Sequence, residues 1–194
     1  MDLNIDLNYQ KKILAGIDEA GRGPLSGPVV AAAVIANSDN IIEGINDSKK
    51  LSEQKRDVLY EEIITRYQYG VGIVEANEID QINILQATIK ACRIAASNLN
   101  CTPDIILVDG NMHFADKRFK SIVKGDTKSH TIAAASIVAK VTRDRIMAHL
   151  HCSYPEYNWQ KNKGYGSREH LKAIANHGIC EYHRKTFKFK KLSI

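Results

Sequence analysis

The chain begins with two short apolar runs that are separated by a segment rich in glycine and proline. The run at residues 13–17 leads into Asp18 and Glu19, and the run at 29–35 carries β-branched residues at both ends. Each run is typical of a buried strand. The glycines and prolines of residues 21–28 interrupt regular structure, so the pattern predicts two strands joined by an irregular loop.

Helical periodicity dominates the next part of the chain. Ser52 is a candidate N-cap for a helix that ends near Arg66 and has Glu53 in its first turn. The predicted inward positions of this helix are Val58, Leu59, Tyr60 and Ile63. Residues 67–74 alternate and predict a strand, and Asn77 is a candidate cap for a second helical region. The inward positions of that region are Ile84, Leu85, Thr88, Ile89, Cys92 and Ala95.

The second half of the chain alternates strands with helices. Residues 104–109 predict a buried strand that ends in a carboxylate, and residues 119–123 predict another short strand. A long helix is predicted over 127–151, and a last helix begins after Ser167 and stops near Gly178. An early antiparallel pair followed by parallel crossovers predicts an α/β fold, with a mixed sheet that has helices packed on it.

Composition limits the class of protein. The 194 residues, 44% of them hydrophobic and 25% charged, predict one soluble globular domain. No apolar stretch reaches the ~18 residues of a membrane span, and the N-terminus lacks the features of a secretory signal, so we expect a cytoplasmic protein. The formal net charge of +5 favours a polyanionic partner.

The cysteines and the basic end of the chain leave alternatives open. Cys92, Cys101, Cys152 and Cys180 form no CxxC pair and are interpreted as reduced, mostly buried thiols. A group of His149, His151 and Cys152 suggests a metal site, but an ordinary helix end is the favoured interpretation. The basic segment 183–191, with interleaved Phe, is either a solvated end or a contact for nucleic acid or protein.

Candidate chemistry lies in carboxylates at the ends of predicted elements. Asp18 and Glu19 follow the first strand, Asp109 ends a later strand, and Asp126 precedes the long helix. Clustered carboxylates repel unless a cation neutralises them, and Mg²⁺ prefers such oxygen ligands. The alternative is that each carboxylate only caps a turn. Adjacent residues in a regular strand point to opposite faces, so Asp18 and Glu19 are expected to share a site only if the backbone departs from strand geometry there.

Other candidates carry less information. Residues 125–129 lack the Gly-Lys-Ser/Thr ending of a phosphate-binding P-loop, although a helix N-terminus follows them. Lys49 and Lys50 either neutralise backbone phosphates or lie in a solvated turn. No nucleophile-elbow pattern supports a hydrolase built on Ser48, Ser129 or Ser136.

Several long motifs together resemble the ribonuclease HII family. They are GIDEAGRGPLSGPVVAAAV (16–34), NDSKKLSE (46–53), EIDQINILQAT (78–88), VDGN (108–111), KGDTKSHTIAAASIVAKVTRDR (124–145), GYGSREH (164–170) and the His183-Arg184 pair. The motifs follow one another along almost the whole chain. The resemblance implies a ribonuclease H-like mixed sheet flanked by helices, forming one domain over 1–194 with a helical C-terminal extension from about 155.

The resemblance also implies a site. It carries catalytic and metal-binding roles over to Asp18, Glu19, Asp109 and Asp126, with Mn²⁺ or Mg²⁺ as the cofactor, two ions acting during catalysis. It assigns Gly21, Arg22 and Gly23 to the ribonucleotide, whose 2′-hydroxyl distinguishes RNA from DNA. Tyr165 is expected to stack on a neighbouring sugar and to hydrogen-bond near that hydroxyl, although a tyrosine in an exposed turn is the alternative. Lys49 is expected to contact a phosphate.

The implied activity is endonucleolytic cleavage of RNA/DNA hybrids and of single ribonucleotides in duplex DNA. The cut lies 5′ to the ribonucleotide and leaves a 3′-hydroxyl and a 5′-phosphate. We expect a monomer that has no membrane association, and a contact between the C-terminal tail and a sliding clamp is a further possibility. Ser167 stands where the family often has Thr, and either residue can cap a helix.

Two other functions stay open on the residues alone. One is a different nuclease, resolvase or transposase on the same fold, which cleavage of ribonucleotide-containing DNA but not of plain DNA would exclude. The other is a catalytically silent nucleic-acid binder, which conflicts with four carboxylates at the expected site because they repel phosphate.

Overall fold

A five-stranded mixed sheet forms the centre of the computed structural model, which describes residues 5–9, 11–36 and 41–188. The strands are β1 (Leu14–Ala20), β2 (Val29–Ile35), β3 (Gln68–Val74), β4 (Ile105–Asp109) and β5 (Phe119–Ile122). Their order is β3-β2-β1-β4-β5. Strand β2 is antiparallel to β1 and β3, while β4 is parallel to β1 and β5. The predicted α/β fold with a mixed sheet is confirmed.

Helices cover both faces of the sheet. They are α1 (Glu53–Arg66), α2 (Ala76–Ser97), α3 (His130–Ser153), α4 (Trp159–Asn162) and α5 (Arg168–His177). Short 3₁₀ turns occur at Ile5–Tyr9, Ser48–Lys50, Gly125–Thr127 and Pro155–Tyr157. Ala31 and Ala33 of β2 pack in the cluster that includes α2, whereas Ala32 and Val34 pack in the cluster that includes α1 and α3.

Small residues in the strands let two helices lie close to the sheet. A Cβ at Gly16 in β1 would stand 2.3 Å from the backbone nitrogen of Ile132 in α3. A Cβ at Gly72 in β3 would stand 2.0 Å from the carbonyl oxygen of Ala91 in α2. Both distances are far below van der Waals contact, so any larger residue would push the helix away from the sheet. This packing fixes α3 beside β1, the strand that carries Asp18.

Helix α2 contains a break that the periodicity did not predict. Asn83 has φ 66°, and its side-chain oxygen accepts hydrogen bonds from the amides of Leu85 and Gln86. Asn83 therefore caps the second half of the helix, because an Asn side chain can satisfy the free amides of a first turn. The predicted cap at Asn77 is wrong, since the helix begins at Ala76 after Glu75.

Predicted helix faces and starts differ from the structure in a few places. Val58 and Leu85, both predicted to face inward, are 61% and 43% exposed. Helix α3 begins three residues later than predicted, at His130, because the Gly125–Thr127 turn precedes it and the Ser129 side chain accepts from the amide of Ile132. Ser52 and Ser167 cap α1 and α5 as predicted.

The cysteines are all free, as predicted, but they are not mostly buried. Only Cys92 is buried, while Cys101 and Cys180 are half-buried and Cys152 is exposed. Over residues 5–9, 11–36 and 41–188, no group of three or more His, Cys, Asp or Glu side chains is arranged to hold a metal ion. That statement includes the His149, His151 and Cys152 group. Within the same residues no helix has the length and apolar character needed to cross a membrane.

The C-terminal region packs back onto the sheet-bearing part of the chain. An aromatic and apolar cluster is formed by Met147, Tyr157, Trp159 and Ala173. His183 pairs with Ser26 in an isolated β-bridge, which joins the chain end to the loop between β1 and β2. A separate extension from about residue 155 stays a prediction, and residues 189–194 lie outside the described residues.

Candidate active site

Two of the four predicted carboxylates lie toward one edge of the sheet because of strand direction, and a hydrogen bond brings a third beside them. Strands β1 and β4 are parallel neighbours, so Asp18 and Asp109 lie toward the same edge. The Asp109 side chain accepts a hydrogen bond of 2.7 Å from the amide of Gly125. That contact holds the turn with Asp126 beside the end of β4.

The backbone at Asp18 and Glu19 differs from the expectation. Strand pairing continues through both residues, with Asp18 opposite Ala32 and Glu19 opposite Ala31, and β1 ends only at Ala20. No departure from strand geometry occurs between them. Both carboxylates nevertheless interact electrostatically with Asp109, so both lie near the same group.

The carboxylates repel one another, and burial makes their charged forms less favourable. Burial raises the pKa of Asp18 well above its usual value, and repulsion from Glu19 and Asp109 raises it further. Burial also raises the pKa of Glu19, although Arg22, at 3.2 Å from the Glu19 carboxylate, opposes this effect. The pKa of Asp126 is raised by burial and by Asp109. Such a group binds protons or a cation more strongly than isolated carboxylates do.

The donor atoms suit a hard divalent cation. All four predicted ligands offer carboxylate oxygens, which Mg²⁺ and Mn²⁺ accept. The Oε2 atom of Glu19 is buried and has no hydrogen-bond partner among the described residues. A buried acceptor without a donor is costly, and a cation would satisfy it. The chemistry of the donor set therefore fits a metal, although the side chains do not form a ready three-ligand group.

A cavity of about 340 Å³ opens beside Asp18 and Glu19. Its walls contain seven of the predicted site residues: Asp18, Glu19, Gly21, Arg22, Gly23, Lys49 and Tyr165. Asp109 and Asp126 do not line it and join the group only through their electrostatic contacts with Asp18. The structure thus brings together residues that are more than 140 positions apart in sequence, as far as from Asp18 to Tyr165.

The cavity wall includes polar residues that the sequence analysis did not select for this site. Ser48 precedes Lys49, while Ser136 and Lys140 lie one turn apart on α3. The Lys140 ammonium pairs with Asp144 at 2.7 Å. A lysine in the otherwise apolar segment IAAASIVAKV was the available signal, because a charged group on a buried helix face needs a partner or a function.

The two loop glycines have different physical roles. Gly21 has φ +96°, and a Cβ there would stand 2.0 Å from Nε of Arg143, so the fold itself requires glycine. A Cβ at Gly23 would meet only Cε1 of Tyr165, at an ordinary contact distance of 3.7 Å. Gly23 also lacks a positive φ. The protein does not need glycine at position 23, and its missing side chain leaves space between the loop and the Tyr165 ring.

Lys49 is held near the carboxylates by its own turn. Its amide donates to Asp47, and the Arg56 guanidinium donates to the carbonyls of Ser48 and Leu51 at 2.8 and 2.5 Å. Lys49 lowers the pKa of Asp126 and of Glu19, against the larger opposing effect of burial in each case. The exposed ammonium is therefore close to the acidic group and open to an anionic ligand.

Tyr165 is 50% exposed, and a hydrogen bond from His170 holds its backbone. Its carbonyl oxygen lies 2.9 Å from Nδ1 of His170, while Trp159 donates its indole N–H to Nε2 of His170 at 3.1 Å. Because Nε2 accepts from Trp159, Nδ1 carries the proton and donates to Tyr165. Burial lowers the pKa of His170, which favours this neutral form. The ring of Tyr165 is thus presented to the cavity on a fixed backbone.

Comparison with known proteins identifies the family. The sequence model described as ribonuclease HII matches residues 15–190. The ribonuclease HII of Rickettsia akari (strain Hartford) is 61% identical over 186 residues, which are 96% of this chain and 96% of the relative. The ribonuclease HII of Rickettsia canadensis (strain McKiel) is 59% identical over 187 residues, covering 96% and 95%.

The chain belongs to the ribonuclease HII family. Membership makes it a nuclease of the ribonuclease H type, with an activity on RNA/DNA hybrids.

Solved structures agree with the fold. Ribonuclease H2 from Pyrococcus horikoshii OT3 superposes with a TM-score of 0.75 at 28% identity, covering 91% of this chain and 94% of that one. The ribonuclease HII in a complex with PCNA from Archaeoglobus fulgidus also gives 0.75, at 32% identity and 92% and 96% coverage. The ribonuclease H-like fold expected from the motifs is confirmed.

Proposed function

We propose that this ribonuclease HII cleaves both RNA/DNA hybrids and single ribonucleotides embedded in duplex DNA. The cut falls 5′ to the ribonucleotide and leaves a 3′-hydroxyl and a 5′-phosphate. One observation carries the proposal, namely that Gly23 and Tyr165 line the same cavity as Asp18 and Glu19. The fold does not require glycine at position 23, and a ligand that approaches the backbone closely would explain it.

Asp18, Glu19, Asp109 and Asp126 are the proposed holders of divalent cations. Mn²⁺ or Mg²⁺, bound as a pair, would supply an activated water and charge stabilisation for phosphodiester hydrolysis. The protein residues position the scissile phosphate at this edge of the sheet. The buried Oε2 of Glu19 and the raised pKa values of Asp18 and Asp126 support the assignment.

The ribonucleotide is proposed to lie between the glycine loop and Tyr165. The Gly21–Arg22–Gly23 backbone can approach a sugar closely, and a 2′-hydroxyl both donates and accepts hydrogen bonds. The Tyr165 ring supplies a flat apolar surface for the neighbouring sugar, and its hydroxyl adds a polar contact. Lys49 is proposed to bind a phosphate of the same strand.

A single cleavage assay tests the proposed function. A DNA duplex with one ribonucleotide is incubated with the protein and Mg²⁺ or Mn²⁺, and the product ends are mapped by size and by their ability to be extended or ligated. We expect one cut on the 5′ side of the ribonucleotide and no cut in the matching all-DNA duplex. Equal cutting of the two duplexes would assign the chain to a DNA nuclease, and a cut on the 3′ side would refute the proposed polarity.

Lys49 and its neighbour Lys50 provide a matched pair for testing phosphate binding. Lys49 lines the cavity, whereas Lys50 is exposed in the same turn and does not line it. We expect Lys49→Gln to raise KM severalfold and to reduce the slope of log K against log salt by about 0.9, the value for one phosphate on duplex DNA. Lys50→Gln should change neither quantity. Equal effects of the two substitutions would show that Lys49 contributes only general positive charge.

The C-terminal tail is proposed to contact a sliding clamp. The related structure from Archaeoglobus fulgidus is a complex of ribonuclease HII with PCNA, which is a statement about that protein. In this chain the segment up to Phe187 is part of the fold, because Arg184 is fully buried and Phe187 packs against the core. A tail contact would therefore involve residues beyond 187.

Deletion of residues 189–194 tests this contact while keeping Arg184 and Phe187. We expect the deletion to weaken binding to the clamp at least tenfold, as one lost anchor side chain typically does. Cleavage of a short ribonucleotide-containing duplex should be unchanged. A reduced salt slope with unchanged clamp binding would assign the tail to nucleic acid instead.

A further inference from the structure

Arg184 is a fully buried cation whose side chain binds backbone carbonyl oxygens. Its guanidinium donates to the carbonyls of Gly21 at 2.6 Å, Arg22 at 3.0 Å and Gly27 at 2.8 and 3.0 Å. Among the described residues no carboxylate forms an ion pair with it. Burial lowers its pKa to about 9, so it stays charged at neutral pH. A buried charge without a carboxylate counterion is costly, and this cost suggests that Arg184 has a role beyond packing.

Peptide geometry converts these contacts into an orientation of the loop. In a trans peptide the carbonyl and the next amide point in opposite directions, and no peptide bond among the described residues is cis. The carbonyls of Gly21 and Arg22 point inward to Arg184. The amides of Arg22 and Gly23 therefore point away from Arg184, and both residues line the cavity. No described residue accepts a hydrogen bond from either amide.

Arg184 is itself held in place by contacts outside the cavity. The Asp80 carboxylate accepts from the amides of Lys185 and Thr186 at 2.8 and 2.9 Å and from the Thr186 hydroxyl at 2.6 Å. The guanidinium of Arg184 lies over the Phe187 ring, 5.0 Å from its centroid. The Arg184 amide donates to the carbonyl of Leu25 at 2.8 Å. These contacts fix the guanidinium before any ligand arrives.

A second buried arginine provides a comparison. Arg143 donates to the carbonyls of Pro28, Lys163 and Ser26 at 2.9, 2.9 and 3.0 Å. It binds no carbonyl of residues 21–23. The two arginines are equally buried and make the same kind of contact. Arg143 lines the cavity and packs against Gly21, but only Arg184 binds the carbonyls of Gly21 and Arg22.

We propose that Arg184 is a positioning residue that aims the amides of Arg22 and Gly23 at acceptor oxygens of the ribonucleotide. This inference rests on the proposed function, because it names the residue that prepares the same loop. A loop whose amides are already turned toward the ligand loses less conformational freedom on binding. The planar guanidinium can hold three carbonyls at once, whereas a lysine ammonium lacks that fork geometry.

The test compares Arg184→Lys with Arg143→Lys, using crystal structures without nucleic acid and cleavage kinetics below both melting temperatures. We expect both substitutions to lower the melting temperature by similar amounts. In Arg184→Lys the peptide planes at 21–22 and 22–23 should turn, and the ratio of kcat/KM on a single-ribonucleotide duplex to that on a long RNA/DNA hybrid should fall about tenfold, as loss of one to two hydrogen bonds predicts. In Arg143→Lys the two planes should stay as in the wild type, because Arg143 binds no carbonyl of residues 21–23. Arg143 itself lines the cavity, so the planes and not the ratio serve as the comparison for this variant.

The outcomes separate this inference from the proposed function. Unturned planes in Arg184→Lys, or planes that turn equally in both variants, would overturn the positioning role whatever the enzyme cleaves. Turned planes with an unchanged ratio would also overturn it. A wild type that ignores single ribonucleotides refutes the proposed function instead, while the crystal structures still report on the planes. If Arg184→Lys does not fold, Asp80→Ala provides a second variant. It removes the hydrogen bonds that hold Lys185 and Thr186, next to Arg184, and should lower the ratio by a smaller factor.

Discussion

Asp18→Asn is expected to remove nearly all cleavage of an RNA/DNA hybrid in Mg²⁺ while leaving the fold intact. Asn keeps the shape of the side chain, including the oxygen that accepts from the amide of Glu19, but loses the charge that would hold a cation. We expect kcat to fall roughly a thousandfold, equivalent to about 4 kcal/mol of transition-state stabilisation. Asp109→Asn should behave in the same way. The measurement is single-turnover cleavage by each purified variant.

Asp18→Asn should lower cleavage, but it should raise the stability of the metal-free protein. Because burial and repulsion from Glu19 and Asp109 raise the pKa of Asp18 well above its usual range, the folded protein binds the proton more tightly than the unfolded chain does. The wild-type free energy of unfolding therefore falls as pH rises above about 4 and through the raised pKa. Asp18→Asn should remove that loss and raise the melting temperature at pH 8, with little change at pH 4.

A matched control separates the local effect from a general change in charge. Asp57 is half-exposed on α1 and lies 3.8 Å from Arg145, away from the cavity. Asp57→Asn makes the same chemical change and should alter neither cleavage nor the pH dependence of stability. Normal turnover by Asp18→Asn in Mg²⁺ would refute its assignment as a metal ligand.

Gly23→Ala is expected to impair substrate recognition without disturbing the fold. The added Cβ meets only the Tyr165 ring, at 3.7 Å, so the melting temperature should stay within a degree or two of the wild type. The methyl group would fill the space proposed for the ribonucleotide. Overfilling a close-packed contact costs about 1–3 kcal/mol, so kcat/KM on the single-ribonucleotide duplex should fall about tenfold or more.

Tyr165 forms the other side of this space and gives a graded comparison. Tyr165→Phe keeps the ring and should lose a moderate part of kcat/KM, whereas Tyr165→Ala should lose clearly more, with the greatest loss on the single-ribonucleotide duplex. Equal kcat/KM values for wild type, Gly23→Ala and both Tyr165 variants would mean that this space does not hold the substrate. Tyr165 would then be an ordinary tyrosine in an exposed turn.

The family and the sheet were predictable from the sequence because both depend on local and linear information. Strands such as Val29–Ile35 are continuous apolar runs, and Ser52 and Ser167 cap helices with their own side chains, whichever way the chain folds around them. The motifs that resemble ribonuclease HII occur in a fixed order, and order is a property of the sequence alone. The candidate metal ligands could be named for the same reason, as carboxylates at the ends of apolar runs.

Only the tertiary structure decided how those residues meet. The hydrogen bond from the Gly125 amide to the Asp109 carboxylate brings Asp126 to the sheet edge. The packing around the loop shows that glycine is required at position 21, where a Cβ would clash with Arg143, but not at position 23, where a Cβ would only contact Tyr165. The sequence left the basic segment 183–191 open between a solvated end and a contact for nucleic acid or protein. In the structure Arg184 is instead buried within the protein, where its guanidinium donates to backbone carbonyls of the loop after β1. Charge and composition cannot reveal such a partner, since it lies 163 positions away and is formed by backbone atoms of no particular residue type.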